Sequence, residues 1–252
     1  MAEKKRCSII TVSYNSAKTI EQTIKSVLNQ TSKDYEYIIV DGASTDDTVN
    51  IIKKYEEAFE GRLKWVSEPD DGLYYAMNKG IEMAGGELVG IINSDDWYEE
   101  DAVCKMLEAL DRWKLTDHQY PYAVFYGKLR TWRDGKEVSV AQSNHETLRE
   151  GMIAHPTCFV TMETYEKIGT FNTKYISAAD YDLMLRFYEE GNVHFEALES
   201  VIANFALGGI CASDKAYYDL LKVRHDHKLM SSPAYCIEYC KCKLYDRLKG
   251  RS

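Results

Sequence analysis

Ser8-Ile9-Ile10-Thr11-Val12-Ser13-Tyr14 is a short β-branched run that reads as a buried strand. Asn15-Ser16 follows as a candidate cap for a helix whose Ile20, Ile24, Val27 and Leu28 share one face. The alternation then repeats. Tyr35 to Val40 is a second strand ending at Asp41-Gly42, after which Ser44 or Thr45 opens a helix carrying Val49, Ile52, Tyr55 and Phe59. Leu63-Lys64-Trp65-Val66 is a third, alternating strand, followed by the helical stripe Leu73, Ala76, Met77, Gly80, Ile81 and Ala84. Glu87-Leu88-Val89-Gly90-Ile91-Ile92 is the fourth, and Val103, Met106, Leu107 and Leu110 form the helix after it. Successive strand–helix units of this kind predict an α/β fold with a mostly parallel central sheet and helices on both faces. Ligands of such sheets sit beyond the carboxyl ends of the strands. Polar residues gather at those ends here: Ser13 to Asn15, Asp41, Glu68 to Asp71, and Asn93 to Asp96.

The second half is less regular. Tyr122 to Thr131 and Glu137 to Val140 resemble strands around an Asp134-Gly135 turn. Ile153 to Thr161 is extended around Pro156, Asp180 to Glu190 is helical, and Val193 to Leu207 reads as strand. After Gly208-Gly209 the chain turns helical and tyrosine-rich. The expected organisation is a main domain over residues 1–210 and a C-terminal helical extension over 211–252.

The chain has 252 residues, 45% hydrophobic and 28% charged, which excludes disordered, collagen-like and low-complexity classes. Its formal charge of -9 argues against nucleic acid as a partner, since phosphate binding needs a cationic face. The apolar stretch Cys7 to Val12 is too short for a signal peptide, and nowhere do about 18 apolar residues run together. Cys7, Cys104, Cys158 and Cys211 lie scattered in apolar contexts, as reduced core cysteines of a cytoplasmic protein do. Cys236, Cys240 and Cys242 with His225 and His227 fit no standard zinc spacing.

No glycine-rich dinucleotide fingerprint follows a strand, and no P-loop occurs. A nucleotide diphosphate could instead be held by a carboxylate-bound metal, which needs no glycine cradle. Asn93-Ser94-Asp95-Asp96, at a strand end, carries paired carboxylates suited to Mg²⁺ or Mn²⁺. Taken alone, it reads better as an Asp-rich turn capping a helix from Glu99, since such turns are common.

Seven stretches occur in one order: Ser8-Ile-Ile-Thr-Val-Ser-Tyr-Asn15, Ile39-Val-Asp41-Gly-Ala-Ser-Thr-Asp46, Glu68-Pro-Asp-Asp-Gly72, Ala76-Met-Asn-Lys-Gly80, Asn93-Ser-Asp-Asp96, His155-Pro-Thr157 and Ala179-Asp-Tyr-Asp-Leu183. Together they resemble family 2 glycosyltransferases, inverting enzymes of the GT-A fold, and most of all those that build bacterial surface polysaccharides. The resemblance covers roughly residues 7 to 210. It implies a Rossmann-like sheet with an acceptor-side extension and C-terminal helices. It also implies a nucleotide-diphosphate sugar as donor, a UDP-sugar above all, and a saccharide or lipid-linked saccharide as acceptor.

Residue by residue, the resemblance implies that Thr11, Ser13 and Tyr14 line the nucleotide site and that Asp41 contacts the base. Asn93-Ser94-Asp95 matches the family's Asp-x-Asp motif, with Asp95 as the ligand of Mn²⁺ or Mg²⁺, Asn93 near the ribose or metal, and Asp96 assisting. Asn93 departs from the motif by removing one negative charge. Asp180 matches the catalytic base, which takes the proton of the attacking acceptor hydroxyl. Asp71 and Lys79 fall in a donor-site segment, Lys79 within reach of a phosphate or simply solvated, and His155 falls at the active-site edge. Tyr75 and Lys128 stand where relatives often carry Asp, and Trp97 is expected near the donor.

The tail from Ala234 interleaves Lys241, Lys243, Arg247, Lys249 and Arg251 with tyrosines and leucine, either as a packed helix or as one lying on an anionic membrane surface. The protein is therefore expected in the cytoplasm, with peripheral contact at the inner membrane face. Two other readings stay in view. A sugar-phosphate nucleotidyltransferase would open with a glycine-rich loop, where this chain has Tyr14-Asn15-Ser16-Ala17. A catalytically silent nucleotide-sugar or glycan binder would account for Asn93, Tyr75 and Lys128.

Overall fold

The computed structural model describes residues 4–116, 119–208 and 214–248. Four strands form the parallel half of the sheet: β1 (Cys7–Ser13), β2 (Tyr35–Asp41), β3 (Leu63–Ser67) and β4 (Leu88–Ile91), in the order β3-β2-β1-β4. The helices between them are α1 (Ile20–Leu28), α2 (Thr48–Lys54) and α3 (Leu73–Met83). Successive residues of a strand face opposite sides of a sheet, and the core divides accordingly. Ile10 and Val12 of β1 with Ile38 and Val40 of β2 pack under Ala76, Met77 and Ile81 of α3. Cys7 and Ile9 with Tyr37 and Ile39 pack against Ile20, Ile24 and Val27 of α1 on the other face. Both faces being buried explains why these strands read as nearly unbroken apolar runs.

The sheet continues through the second half. A two-residue strand β5 (Trp97–Tyr98) precedes α4 (Ala102–Thr116), and then come β6 (Tyr122–Arg133), β7 (Lys136–Ala141), β8 (Phe159–Thr161) and β9 (Val193–Ala206). Beyond β4 the order is β8-β6-β9-β5, with β7 pairing β6 in a hairpin. β8 runs antiparallel to both β4 and β6, while β6 and β9 pair in parallel, so β8 is a single reversed strand between two parallel groups. Helices α5 (Met162–Ile168) and α6 (Ala179–Glu190) join the face that α3 covers, through Tyr165, Tyr181, Leu183 and Phe187.

Local departures from the sequence expectations have local causes. Asn15 does not cap α1: it sits in the left-handed region at φ 49°, and its Oδ1 accepts from the Thr45 amide at 2.8 Å. The helix starts later, at Ile20. The helix expected to reach Phe59 ends at Lys54, and a separate 3₁₀ turn, Glu57–Phe59, delivers Phe59 to the core. The helix expected from Glu99 starts at Ala102, where the Val103 amide donates to Gln30 Oε1 at 2.9 Å. Residues 155–157 form a 3₁₀ turn rather than extended chain.

The C-terminal helices α7 (Asp214–Asp226) and α8 (Ser232–Leu248) complete the described chain. The expected boundary at 210/211, with Gly209 and Cys211, and the tail residues Lys249 and Arg251 lie outside the described residues; so do the side chains of Tyr245, Asp246 and Arg247. α7 packs on α6 with Leu221 and Val223 buried, while α8 leaves Ile237 and Leu244 exposed. No helix among the described residues is long and apolar enough to cross a membrane.

His227, just past α7, lies between two carboxylates of α6, 3.0 Å from Asp182 Oδ1 and 2.8 Å from Glu189 Oε2. Burial works against an ionised Asp182, but His227 and Arg186 together hold its carboxyl below the usual range. Asp182, and then Glu189, raise His227 above its ordinary 6.5. A group raised on folding stabilises the native state fully below its unfolded pKa, and the gain is lost as pH rises through the folded value. As pH rises from about 6.5 through the raised His227 value, the melting temperature of the wild type should therefore fall further than that of His227→Gln. Parallel melting profiles for the two proteins would contradict this clamp.

Candidate active site

The carboxyl ends of β1 to β3 are tied together by one buried carboxylate. Asp41, at the end of β2, accepts from Ser13 Oγ of β1 at 2.9 Å, from Ser44 N at 2.9 Å and Oγ at 2.5 Å, and from Ser67 Oγ of β3 at 2.6 Å. The loop after β1 is fixed in the same way: the Ser16 amide donates to Thr48 Oγ1 at 2.8 Å, and Ser16 Oγ lies 2.7 Å from Ser94 Oγ. Over this rigid floor opens a cavity of about 810 Å³. Its walls include Ser13, Tyr14, Gly42, Asp70, Asn93 and Asp95. Tyr14 is 65% exposed, with its ring presented to solvent, and Gly42 leaves room between it and Asp70, whose Oδ2 a Cβ at that glycine would meet at 2.8 Å.

The acidic end of β4 forms one wall. Asp95 is partly buried, and burial raises its carboxyl. Asp96 is wholly buried; burial, reinforced by the neighbouring Asp95 charge, pushes it up to about 8. Its Oδ1 accepts from the Ala206 amide of β9 at 3.0 Å, but Oδ2, like the buried Oδ1 of Asn93, has no partner among the described residues. Lys18 is the one cation among the described residues of the wall. Two adjacent carboxylates with an idle buried oxygen fit a divalent cation of hard, oxygen-seeking character. No group of three metal-ligating side chains occurs among the described residues, so phosphate and water oxygens would have to complete the shell.

The opposite wall is the start of α3. Gly72 caps it at φ 132°, a conformation that favours glycine, and its amide donates to Asp70 Oδ1 at 2.9 Å. Leu73 and Ala76 face the cavity, while Tyr74 turns inward and donates from its hydroxyl to Asp180 Oδ1 at 3.2 Å. The same oxygen accepts from the Tyr181 amide at 2.9 Å. Tyr74 stacks on Phe171 at 5.3 Å, and His155 meets Phe171 edge-on at 5.5 Å. Burial lowers the His155 pKa against the pull of nearby Asp180, so a neutral imidazole backs the carboxylate.

The expected site residues fall into three groups. Ser13, Tyr14, Asn93 and Asp95 line the cavity. Thr11, Asp41 and Asp96 lie buried behind its wall, with Thr11 Oγ1 accepting from Tyr37 OH at 3.0 Å and Asp41 saturated by serines. Asp180 and His155 stand together beyond the start of α3 rather than on the wall itself. Asp71 is exposed and outside the lining, and Lys79 pairs with Glu68 instead of facing the cavity.

Trp97 corrects an expectation. It pairs in β5 with β9, tilts against Trp132 at 5.8 Å and lines a different depression of about 580 Å³. Lys128 pairs with Glu199 at 2.7 Å. The sequence reading missed Lys18 and Phe205 of the wall, and it chose Asp71 where the neighbour Asp70 is the inward residue. It also missed Asn78, whose amide grips Phe171 N and O at 2.9 Å each; a polar residue in the apolar stripe of α3 was the available signal.

Residues 8–169 match the family described as glycosyl transferase family 2. Chondroitin synthase of Escherichia coli is 30% identical over 223 residues, covering 86% of this chain but 31% of that one. S. aureus TarS 1-349, solved with UDP-GlcNAc, superposes with a TM-score of 0.70 at 20% identity, over 90% of this chain and 67% of that one. The mannosyltransferase PcManGT from Pyrobaculum calidifontis, solved with GDP-Man and Mn²⁺, gives a TM-score of 0.66 at 18% identity, over 94% of this chain and 70% of that one. These structures carry the GT-A arrangement, and the fold expected from the motifs is the one observed.

The acidic wall makes a thermal prediction. Mn²⁺ at about a hundred times its Kd should stabilise the protein by about 2.7 kcal/mol, a melting-temperature rise of roughly 5–10 °C. Asp95→Asn should abolish most of that rise. Asp96→Asn replaces a buried carboxyl that is already largely protonated near neutral pH, so it should leave the metal-free protein about as stable while blunting its response. An undiminished rise in Asp95→Asn would place the cation elsewhere.

Proposed function

The chain belongs to glycosyl transferase family 2, and on that footing we propose that it transfers a sugar from a UDP-sugar to a saccharide hydroxyl with inversion at the anomeric carbon. The single observation that carries the reading is a cavity at the strand ends with adjacent acids on one wall and, past the other, a carboxylate whose Oδ1 is held by Tyr74 and the Tyr181 amide. Tyr14 offers an exposed ring for the base beside Gly42 and Asp70. Asp95, with Asp96 behind it, would hold Mn²⁺ or Mg²⁺ among the phosphate oxygens. When bound, that ion neutralises charge building on the departing diphosphate. Lys18 brings a further positive group to the same wall.

The chain's own chemistry is proton transfer. As the acceptor oxygen bonds to the anomeric carbon, its proton passes to Asp180 Oδ2, and the bond to the nucleotide oxygen breaks with its electron pair leaving on UDP. Tyr74 and the Tyr181 amide both hold Asp180 Oδ1, so they fix the direction in which Oδ2 is offered. The neutral His155 leaves the carboxylate without a competing cation.

A lipid-linked acceptor at the cytoplasmic face of a membrane suits the exposed Ile237 and Leu244 of α8 beside Lys241 and Lys243. Because the chain spans 31% of the E. coli chondroitin synthase, that enzyme's polymer is not assumed as the product. A silent binder is the second reading, favoured by Asn93 in place of the usual acid.

UDP release with Mn²⁺, across UDP-sugars and saccharide acceptors, tests both. Asp180→Asn should lower turnover by about 10²–10⁴ while leaving UDP affinity within about twofold. Unchanged turnover in that variant would refute the base. Tight UDP-sugar binding without turnover on any acceptor would favour the binder.

A further inference from the structure

The ten residues between α5 and α6 lead directly into Asp180, and they are held in two ways. The first part is fixed by the catalytic half itself: Asn78 grips Phe171, and Arg186 donates to the carbonyls of Ile168 at 3.2 Å and Thr170 at 2.5 Å. The second part is fixed from the C-terminal extension. Asp226, at the end of α7, accepts from Lys174 Nζ at 3.0 Å and Tyr175 OH at 2.7 Å. Asp219, in the middle of α7, accepts from the backbone amides of Ile176 at 2.5 Å and Ser177 at 2.8 Å, and from Ser177 Oγ at 3.3 Å.

This grip sits where α6 lacks a cap of its own. The N-cap residue is Ala178, which has no side chain to satisfy the first helical amides. Asp219 instead fixes the two residues immediately before that N-cap. Asp180 is the second residue of that helix, so a shift at 176–177 is carried straight to its carboxylate. His227 adds a second tether from the same extension, onto Asp182.

We propose that Asp219 is a positioning residue for the reaction: by holding Ile176 and Ser177 it aims Asp180, and α7 is thereby part of the catalytic unit. The proposal rests on Asp180 being the base. It extends the catalytic machinery beyond α6 into α7, a helix from which no site residue was expected.

The test uses the full chain with Asp219→Ala and Asp219→Glu, measuring turnover at saturating UDP-sugar and acceptor, UDP affinity by calorimetry, and melting temperature. Displacements of about 1 Å at a reacting group cost about a hundredfold in rate. Asp219→Ala should lose about tenfold to a hundredfold in kcat with UDP affinity within about twofold. Asp219→Glu keeps the charge and the acceptor oxygens but moves the backbone outward by a methylene. It should lose turnover by about tenfold or more, also on geometric grounds, with its melting temperature retained. If Asp219→Ala does not fold, the glutamate variant decides alone. Wild-type turnover in Asp219→Glu, or losses in UDP affinity as large as those in kcat, would overturn the proposal. Full activity in Asp180→Asn would mean instead that the base reading had failed.

Discussion

Asp95 and Asp96 follow one another at the end of a buried strand, and two carboxylates so placed cannot both be ionised without help. Asp96 answers half of the problem by drifting up to about 8, as burial and the Asp95 charge dictate. The other half remains open at its unpartnered Oδ2. A protein could have buried apolar residues here at less cost, since isolated buried charge is expensive to maintain. The strand ends in acids beside an open cavity, with Lys18 as the one described cation on the wall, and a ligand that brings positive charge would suit that wall. The remaining features of the site follow from accommodating it.

The scaffold around that acidic end is unusually well fastened. Asp41 spends both oxygens on serines from three strand ends, so the floor of the cavity is set before any ligand arrives. A preorganised floor costs no reorganisation when charge develops above it. The far side is built differently. There the antiparallel strands β8 and β6, the loop before α6 and the C-terminal helix α7 together present Asp180, and the contacts are carboxylates gripping backbone amides across 42 or 43 residues of sequence. On the proposed reading the two walls divide the labour: one would bind charge, the other would take a proton.

The first wall was legible in the sequence and the second only in outline. Buried parallel strands announce themselves because both faces are apolar, and Ser8 to Val12 and Leu88 to Ile92 could hardly be anything else. Polar residues at their ends had to mark the site. Which polar side chain turns inward was not legible. Asp70 and Asp71 are adjacent in sequence and differ only through the turn that Gly72 permits. Lys79 left the cavity because Glu68 was nearer, and Trp97 because a two-residue strand paired it with β9. Asp219 was invisible for a further reason: it acts on backbone amides, which leave no pattern in side-chain sequence.

On the proposed reading a cation at Asp95 and a nucleotide in the cavity above Asp41 share one site, with Asp180 just beyond the start of α3. Anomalous diffraction at the manganese edge, from crystals grown with Mn²⁺ and UDP, addresses it directly. The account predicts a single strong peak within bonding distance of an Asp95 oxygen and of the diphosphate, with the uracil beside Tyr14 and Asp70. A peak in the depression by Glu99 and Asp101, or UDP bound with its phosphates turned away from Asp95, would contradict it.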